Sequence, residues 1–222
     1  MSYNMSIIDN LKKIKSSLPN HVTLVAVSKT KPIEDIMEAY NAGQRIFGEN
    51  KIQEMVEKHE HMPKDIEWHM IGHVQRNKVK YMAPFVSLIH GVESFKVLKE
   101  VNKQAVKHDR IINCLLQIKI AEEDSKFGMT ATDAKTILTS SEFTSLKNVE
   151  IIGVMGMATF TDNQDQIKAE FNKLKQTFDD LKNNHESLRV ISMGMSGDYQ
   201  LAVSCGSNMV RIGSRIFGER NY

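Results

Sequence analysis

Leu24-Val25-Ala26-Val27-Ser28-Lys29-Thr30-Lys31-Pro32 opens as a short apolar run rich in β-branched residues and closes on a proline. Such a run reads as a fully buried strand that ends in a turn. Side chains alternate along a strand, so Val25, Val27 and Lys29 share one face, and Leu24, Ala26 and Ser28 the other. A lysine that continues an apolar face at the C-terminal end of a strand stands where α/β folds place their chemistry. Partly desolvated there, its amine loses basicity, and the neutral form attacks a carbonyl to give a Schiff base. The plain alternative is a solvated lysine opening a loop, because charged side chains are rarely buried unless paired.

Outward from this stretch the chain keeps a strand–helix rhythm. Ile7, Ile8, Leu11, Ile14 and Leu18 recur at a helical period, which predicts a leading helix over 6–18. Strands are expected over 21–29, 45–50, 66–72, 86–92, 111–120, 149–157, 188–195 and 209–213. Helices are expected between them, over 32–41 with Pro32 at its start, and over 51–61, 74–82, 94–108, 132–140 and 164–183. A short helix near Gly206 and a last helical turn over 214–219 complete the series. Eight strands alternating with helices in 222 residues predict an α/β chain folded as a single (β/α)8 TIM-type barrel, with an extra N-terminal helix. The rival, an open doubly wound sheet, typically carries fewer strands. No linker or low-complexity tract divides the chain, so 1–222 is read as one domain.

Composition bounds the function. Apolar residues make up 41% and charged residues 25% of the chain, the balance of a soluble globular protein. A formal charge of +2 gives no case for nucleic acid as a partner. No apolar run approaches the roughly 18 residues that span a bilayer. Residues 1–18 mix Asp9 and Asn10 with Lys12, Lys13 and Lys15, unlike the apolar core of a signal peptide. Cys114 and Cys205 read as reduced core thiols, and the expected location is cytoplasmic.

The ends of strands seven and eight carry the next signal. Ser192-Met193-Gly194-Met195-Ser196-Gly197-Asp198 and Arg211-Ile212-Gly213-Ser214 occupy the two places where barrels often build a phosphate site. Glycines there allow close approach, while backbone N–H groups, a serine hydroxyl and a helix dipole meet the anion. Arg211 shares a strand face with Met209 and Gly213, opposite the apolar pair Val210 and Ile212, which predicts a guanidinium in the barrel interior. Strand eight closes against strand one, so Arg211 is expected near Lys29, whose amine it would make less basic. The alternative is a structural arginine paired with a carboxylate. His69, in Trp68-His69-Met70-Ile71-Gly72, either meets a ligand or satisfies the core. His69 and His73, with His59 and His61 nearby, invite a metal reading, but Gly72 and the strand end argue against a helical ligand pair. Asn50, closing Phe47-Gly48-Glu49-Asn50, either contacts a ligand or caps the next helix. The charges of Glu123-Asp124-Ser125-Lys126-Phe127-Gly128 read as a solvated turn.

Taken together and in order, Val27-Ser28-Lys29-Thr30-Lys31-Pro32, Phe47-Gly48-Glu49-Asn50, Trp68-His69-Met70-Ile71-Gly72, Ser125-Lys126-Phe127-Gly128, Met193-Gly194-Met195-Ser196-Gly197-Asp198 and Val210-Arg211-Ile212-Gly213 resemble the pyridoxal phosphate homeostasis proteins. The resemblance covers nearly the whole chain. It implies a barrel like the N-terminal domain of alanine racemase, with pyridoxal 5′-phosphate (PLP) held as a Schiff base on Lys29. It further implies that Arg211 faces the pyridine nitrogen, that Ser196, Gly213 and Ser214 hold the phosphate, and that Met195, Asn50 and His69 complete the cofactor-binding set. Small departures are His73, Asn208 where a threonine is common, and Gly156, expected near the ring face.

Two functions follow from the resemblance. The first is a PLP carrier in intracellular PLP homeostasis, a monomer or weak dimer that delivers the cofactor to apo PLP-dependent enzymes without a turnover of its own. The second is a PLP-dependent amino-acid racemase-like enzyme. Racemases on this barrel carry a further β-domain, and only residues 214–222 follow strand eight here, which favours the carrier. A Schiff-base aldolase without cofactor fits the paired phosphate loops and Arg211 less well.

Overall fold

Buried β-branched runs alternate with amphipathic helices through the computed structural model, which describes residues 6–122 and 127–219. The strands are β1 (Thr23–Val27), β2 (Ile46–Glu49), β3 (Glu67–Met70), β4 (Leu88–Val92), β5 (Ile112–Gln117), β6 (Val149–Met155), β7 (Val190–Ser192) and β8 (Met209–Ile212). They pair in sequence order as a closed parallel barrel, the TIM-type architecture that the rhythm predicts. The helices are α1 (Ile7–Ser17), α2 (Ile33–Asn41), α3 (Ile52–His61), α4 (Val79–Met82), α5 (Phe95–Lys107), α6 (Ala131–Thr139), α7 (Ser141–Thr144), α8 (Gln164–Lys182), α9 (Tyr199–Ser204) and α10 (Ser214–Phe217).

Alternation sorts the core into two layers. Val25, Leu88, Leu115, Ile152, Met155 and Met209 pack together inside the barrel. Leu24, Ala26, Phe47, Trp68, Met70 and their like point outward, into the larger layer under the helices. The helices meet that layer with the stripes their sequences carry: Ile167, Phe171, Leu174, Phe178 and Leu181 of α8 are all buried. Ser6 caps α1 by accepting from the Asp9 amide, and Leu11 and Ile14 are its buried residues. This leading helix packs against α10 and α2.

The elements differ from expectation mainly at their ends. β1 stops at Val27, so Lys29 lies in the turn beyond the strand rather than on it. β7 keeps only three residues. The helix expected over 74–82 is a 3-10 turn (Arg76–Lys78) followed by the single turn of α4. α7 was not expected, and Ser140 caps it through the Phe143 amide. β7 ends at Ser192, its last paired residue, although Met193 continues the apolar run. Cys114 and Cys205 are both buried free thiols, and burial pushes the Cys114 thiol up. No helix among the described residues is long and apolar enough to cross a membrane.

Candidate functional site

Parallel strands in a barrel all end on one face, so the turns after β1, β2, β7 and β8 converge there. Lys29 is half-buried in the turn after β1. The residues on either side of it are tied down from behind. The Ser28 hydroxyl donates to Glu49 Oε1 at 2.5 Å, and Lys58 Nζ donates to the Ser28 carbonyl at 2.8 Å. The Thr30 amide donates to Glu54 Oε1 at 2.6 Å, and Thr30 itself takes a φ of 63°. Lys58 pairs with both acids, Glu49 at 2.8 Å and Glu54 at 2.7 Å. Glu49 is fully buried, and its Oε2 has no hydrogen-bond partner. Burial outweighs the Lys58 and Ser28 contacts and raises the Glu49 carboxyl to about 7.

Asn50 follows β2 and is half-buried. It does not cap the next helix: the N-cap of α3 is Lys51, without a side-chain bond. Gly72 approaches Asn50 so closely that a Cβ there would lie 2.4 Å from the Asn50 carbonyl oxygen. A glycine at this position is what lets the ends of β2 and β3 meet.

Arg211 points into the barrel, as its alternation predicts, and is 3% exposed. Its partners are neutral: NH1 donates to Ser192 Oγ at 2.5 Å and NH2 to the Gly156 carbonyl at 3.1 Å. Burial lowers the guanidinium to about 10, so it stays charged at neutral pH. The β1–β8 register sets Arg211 opposite Val25. Lys29 therefore lies four residues further along the chain, past Ala26↔Ile212, the last pair of the β1–β8 ladder. Gly156 is held by its role as acceptor for Arg211. A Cβ on it would face Ile120 and Leu174 of the outer layer.

His69 also faces the interior, beneath the mouth. Its Nδ1 lies 3.0 Å from His90 Nε2, and His90 Nδ1 lies 3.0 Å from Ser192 Oγ. Burial lowers His69 to about 3 and His90 well below its usual range, so both rings are neutral. Sequence reading missed His90 and Ser192. The signal was the alternation already used for β1 and β8: His90 shares a face with Leu88, and Ser192 with Val190.

The paired loops meet as their glycines suggest. The Gly213 amide donates to Ser196 Oγ at 3.3 Å, and Ser214 opens α10 with no side chain capping its first amides. The Met195 amide donates to Asp198 Oδ1 at 2.6 Å, and the Met195 side chain is half-buried. Lys31 Nζ grips the far end of α10, donating to the Phe217 and Glu219 carbonyls at 2.9 Å each. Asn208 ties β7 to β8 through Ile191 N and Arg189 O. His73 pairs with Glu93 at 3.1 Å and stacks on Phe127. Among the described residues, no three His, Cys, Asp or Glu side chains gather as a metal group. Ser125 and Lys126, with the other charged residues over 123–126, lie outside the described residues.

Residues 5–221 match the family described as alanine racemase, N-terminal domain. Two curated relatives bear the name pyridoxal phosphate homeostasis protein. That of Aquifex aeolicus is 36% identical over 206 residues, 91% of this chain and 89% of its own. That of Vibrio alginolyticus is 40% identical over 210 residues, 92% and 89%. The solved structure of PipY from Synechococcus elongatus, with PLP bound, superposes with a TM-score of 0.87 at 33% identity, covering 96% of this chain and all of that one.

Proposed function

The chain belongs to the pyridoxal phosphate homeostasis proteins, and from that premise we propose that it binds PLP covalently through the Lys29 amine and serves as a carrier of the cofactor. The observation that carries the reading is the gathering at one barrel end. There a half-buried lysine, two serine- and glycine-bearing loops and a buried, charged arginine that donates to Ser192 and Gly156 all converge. The donor set fits the group. Ser196, Gly213, Ser214 and the opening amides of α10 offer hydrogen bonds suited to a phosphate dianion. Asn50, His69 and the Met195 side chain border the space between those loops and Lys29.

When bound, PLP supplies an aldehyde to an amine, and a ring that draws electrons once its nitrogen is protonated. This chain's residues serve the first property and not the second. Glu49, Lys58 and Glu54 fix the backbone on both sides of Lys29, which limits the freedom its amine must surrender on reacting. Arg211 only donates hydrogen bonds, so a ring nitrogen that faces it is met by a donor and keeps no proton of its own. That division supports a carrier which hands PLP to apo PLP-dependent enzymes over a racemase-like enzyme.

Equilibrium titration with PLP and with pyridoxal tests the paired loops. Two charge-assisted hydrogen bonds at roughly 1.5 kcal/mol each predict pyridoxal binding weaker by about 100-fold or more. Comparable affinities would remove the phosphate from the account.

A further inference from the structure

Arg211, Ser192, His90 and His69 form a continuous buried hydrogen-bond chain across four strands of the barrel interior. A guanidinium has donors and no acceptor. Ser192 Oγ must therefore accept from Arg211, and its own hydroxyl hydrogen needs an acceptor elsewhere. Ser192 is fully buried, and the acceptor within reach is His90 Nδ1 at 3.0 Å. An Nδ1 that accepts leaves the proton of a neutral imidazole on Nε2. His90 Nε2–H then donates to His69 Nδ1, 3.0 Å away, and the same logic leaves the His69 proton on its own Nε2. A neutral state suits both rings, since each is buried and His90 also lies near the Arg211 charge. His69 Nε2 has no bond within the described protein, yet it is not among the fully buried atoms lacking one. It is the end of the chain that a ligand can meet.

We propose that Ser192 and His90 are positioning residues: they relay the donor-only character of Arg211 in one direction, so that His69 presents Nε2–H as a fixed donor at the inner edge of the site. The site there selects an acceptor oxygen and rejects an ammonium, which has donors only. The inference rests on the PLP reading for its ligand, since the PLP ring carries a phenolic oxygen of that class. The relay itself belongs to the protein alone.

The two parts separate experimentally. Long-range proton–nitrogen NMR on histidine-labelled protein, recorded before PLP is added, reads each tautomer directly. We expect His69 and His90 both as Nε2–H tautomers, unchanged down to about pH 5 because burial keeps both rings neutral. An Nδ1–H tautomer for either ring, or an imidazolium at neutral pH, would overturn the relay. Ser192→Ala should shift the His90 Nδ1 resonance and release its tautomer, and Ser192→Thr, which restores a hydroxyl, should return it. Identical spectra for Ser192→Ala and wild type would equally overturn it. Titration of the wild type with 3-deoxypyridoxal phosphate then tests the ligand class. A loss of about tenfold relative to PLP is expected for one missing hydrogen bond, and equal affinity would overturn the assignment of His69 to that oxygen. Failure of PLP to bind at all would count against the carrier reading while leaving the tautomers as measured.

Discussion

Glu49 shows what a single buried carboxyl contributes behind Lys29. Its carboxyl is raised from an ordinary 4.5 to about 7, chiefly by burial. The folded chain therefore holds that proton more tightly than the unfolded one. The resulting stability is fully present below pH 4.5 and is lost as pH rises through about 7. In Glu49→Gln this loss is absent. Relative to wild type, the variant should gain on the order of 1–3 kcal/mol between about pH 5 and pH 8, read by urea unfolding. A difference between the two proteins that does not change with pH would contradict the account. Glu49 is part of a quoted sequence motif, but its partner Lys58 lies nine residues away. The available clue was that Ile52, Met55 and Lys58 fall three apart on the inward face of α3, where all three are buried. A lysine on an apolar stripe signals a buried pair, and only the fold shows that the pair braces Lys29.

α10 illustrates how a short element depends on its neighbours. Four residues cannot hold a helix by themselves, and Lys31 Nζ binds the carbonyls at its end. Its other end carries Gly213 and Ser214, so a loosened helix loosens the loop. Lys31→Met should weaken PLP binding by roughly 3- to 10-fold, the worth of about one hydrogen bond. Pyridoxal, which has no phosphate for that loop, should bind the variant and the wild type alike. Equal losses for both ligands would place Lys31 elsewhere in the mechanism. The strands and main helices were legible from period and punctuation, as α8 shows with its complete buried stripe. The tips were not. Met193 continues the apolar run past Ser192, and pairing, rather than hydrophobicity, ends β7. β1 likewise stops at Val27, which leaves Lys29 in the turn beyond the strand.

The closed barrel sets the ends of its first three strands beside those of its last two. Lys29, Asn50, His69, Met195, Ser196, Arg211, Gly213 and Ser214 come from five different strand ends or turns, and alternation plus topology sufficed to place Arg211 inside. What stayed hidden was the conversation between strands, since His90 and Ser192 acquire meaning only when β4 and β7 face each other across the interior. Arg211 has donors only, so in the proposed PLP site it offers no acceptor for a proton on a ring nitrogen. Alanine incubated with the PLP-loaded protein in deuterated water should therefore exchange its Cα hydrogen no faster than about tenfold above free PLP, a margin worth about 1.4 kcal/mol of barrier. Rapid multiple-turnover exchange would favour the racemase-like enzyme. The central claim is the covalent hold on Lys29. Borohydride treatment of the PLP-loaded protein, followed by peptide mass mapping, should place one phosphopyridoxyl mass on Lys29, while Lys29→Ala keeps its fold and gains none. A modification on Lys31 or another lysine in wild type, or full modification of Lys29→Ala, would contradict it.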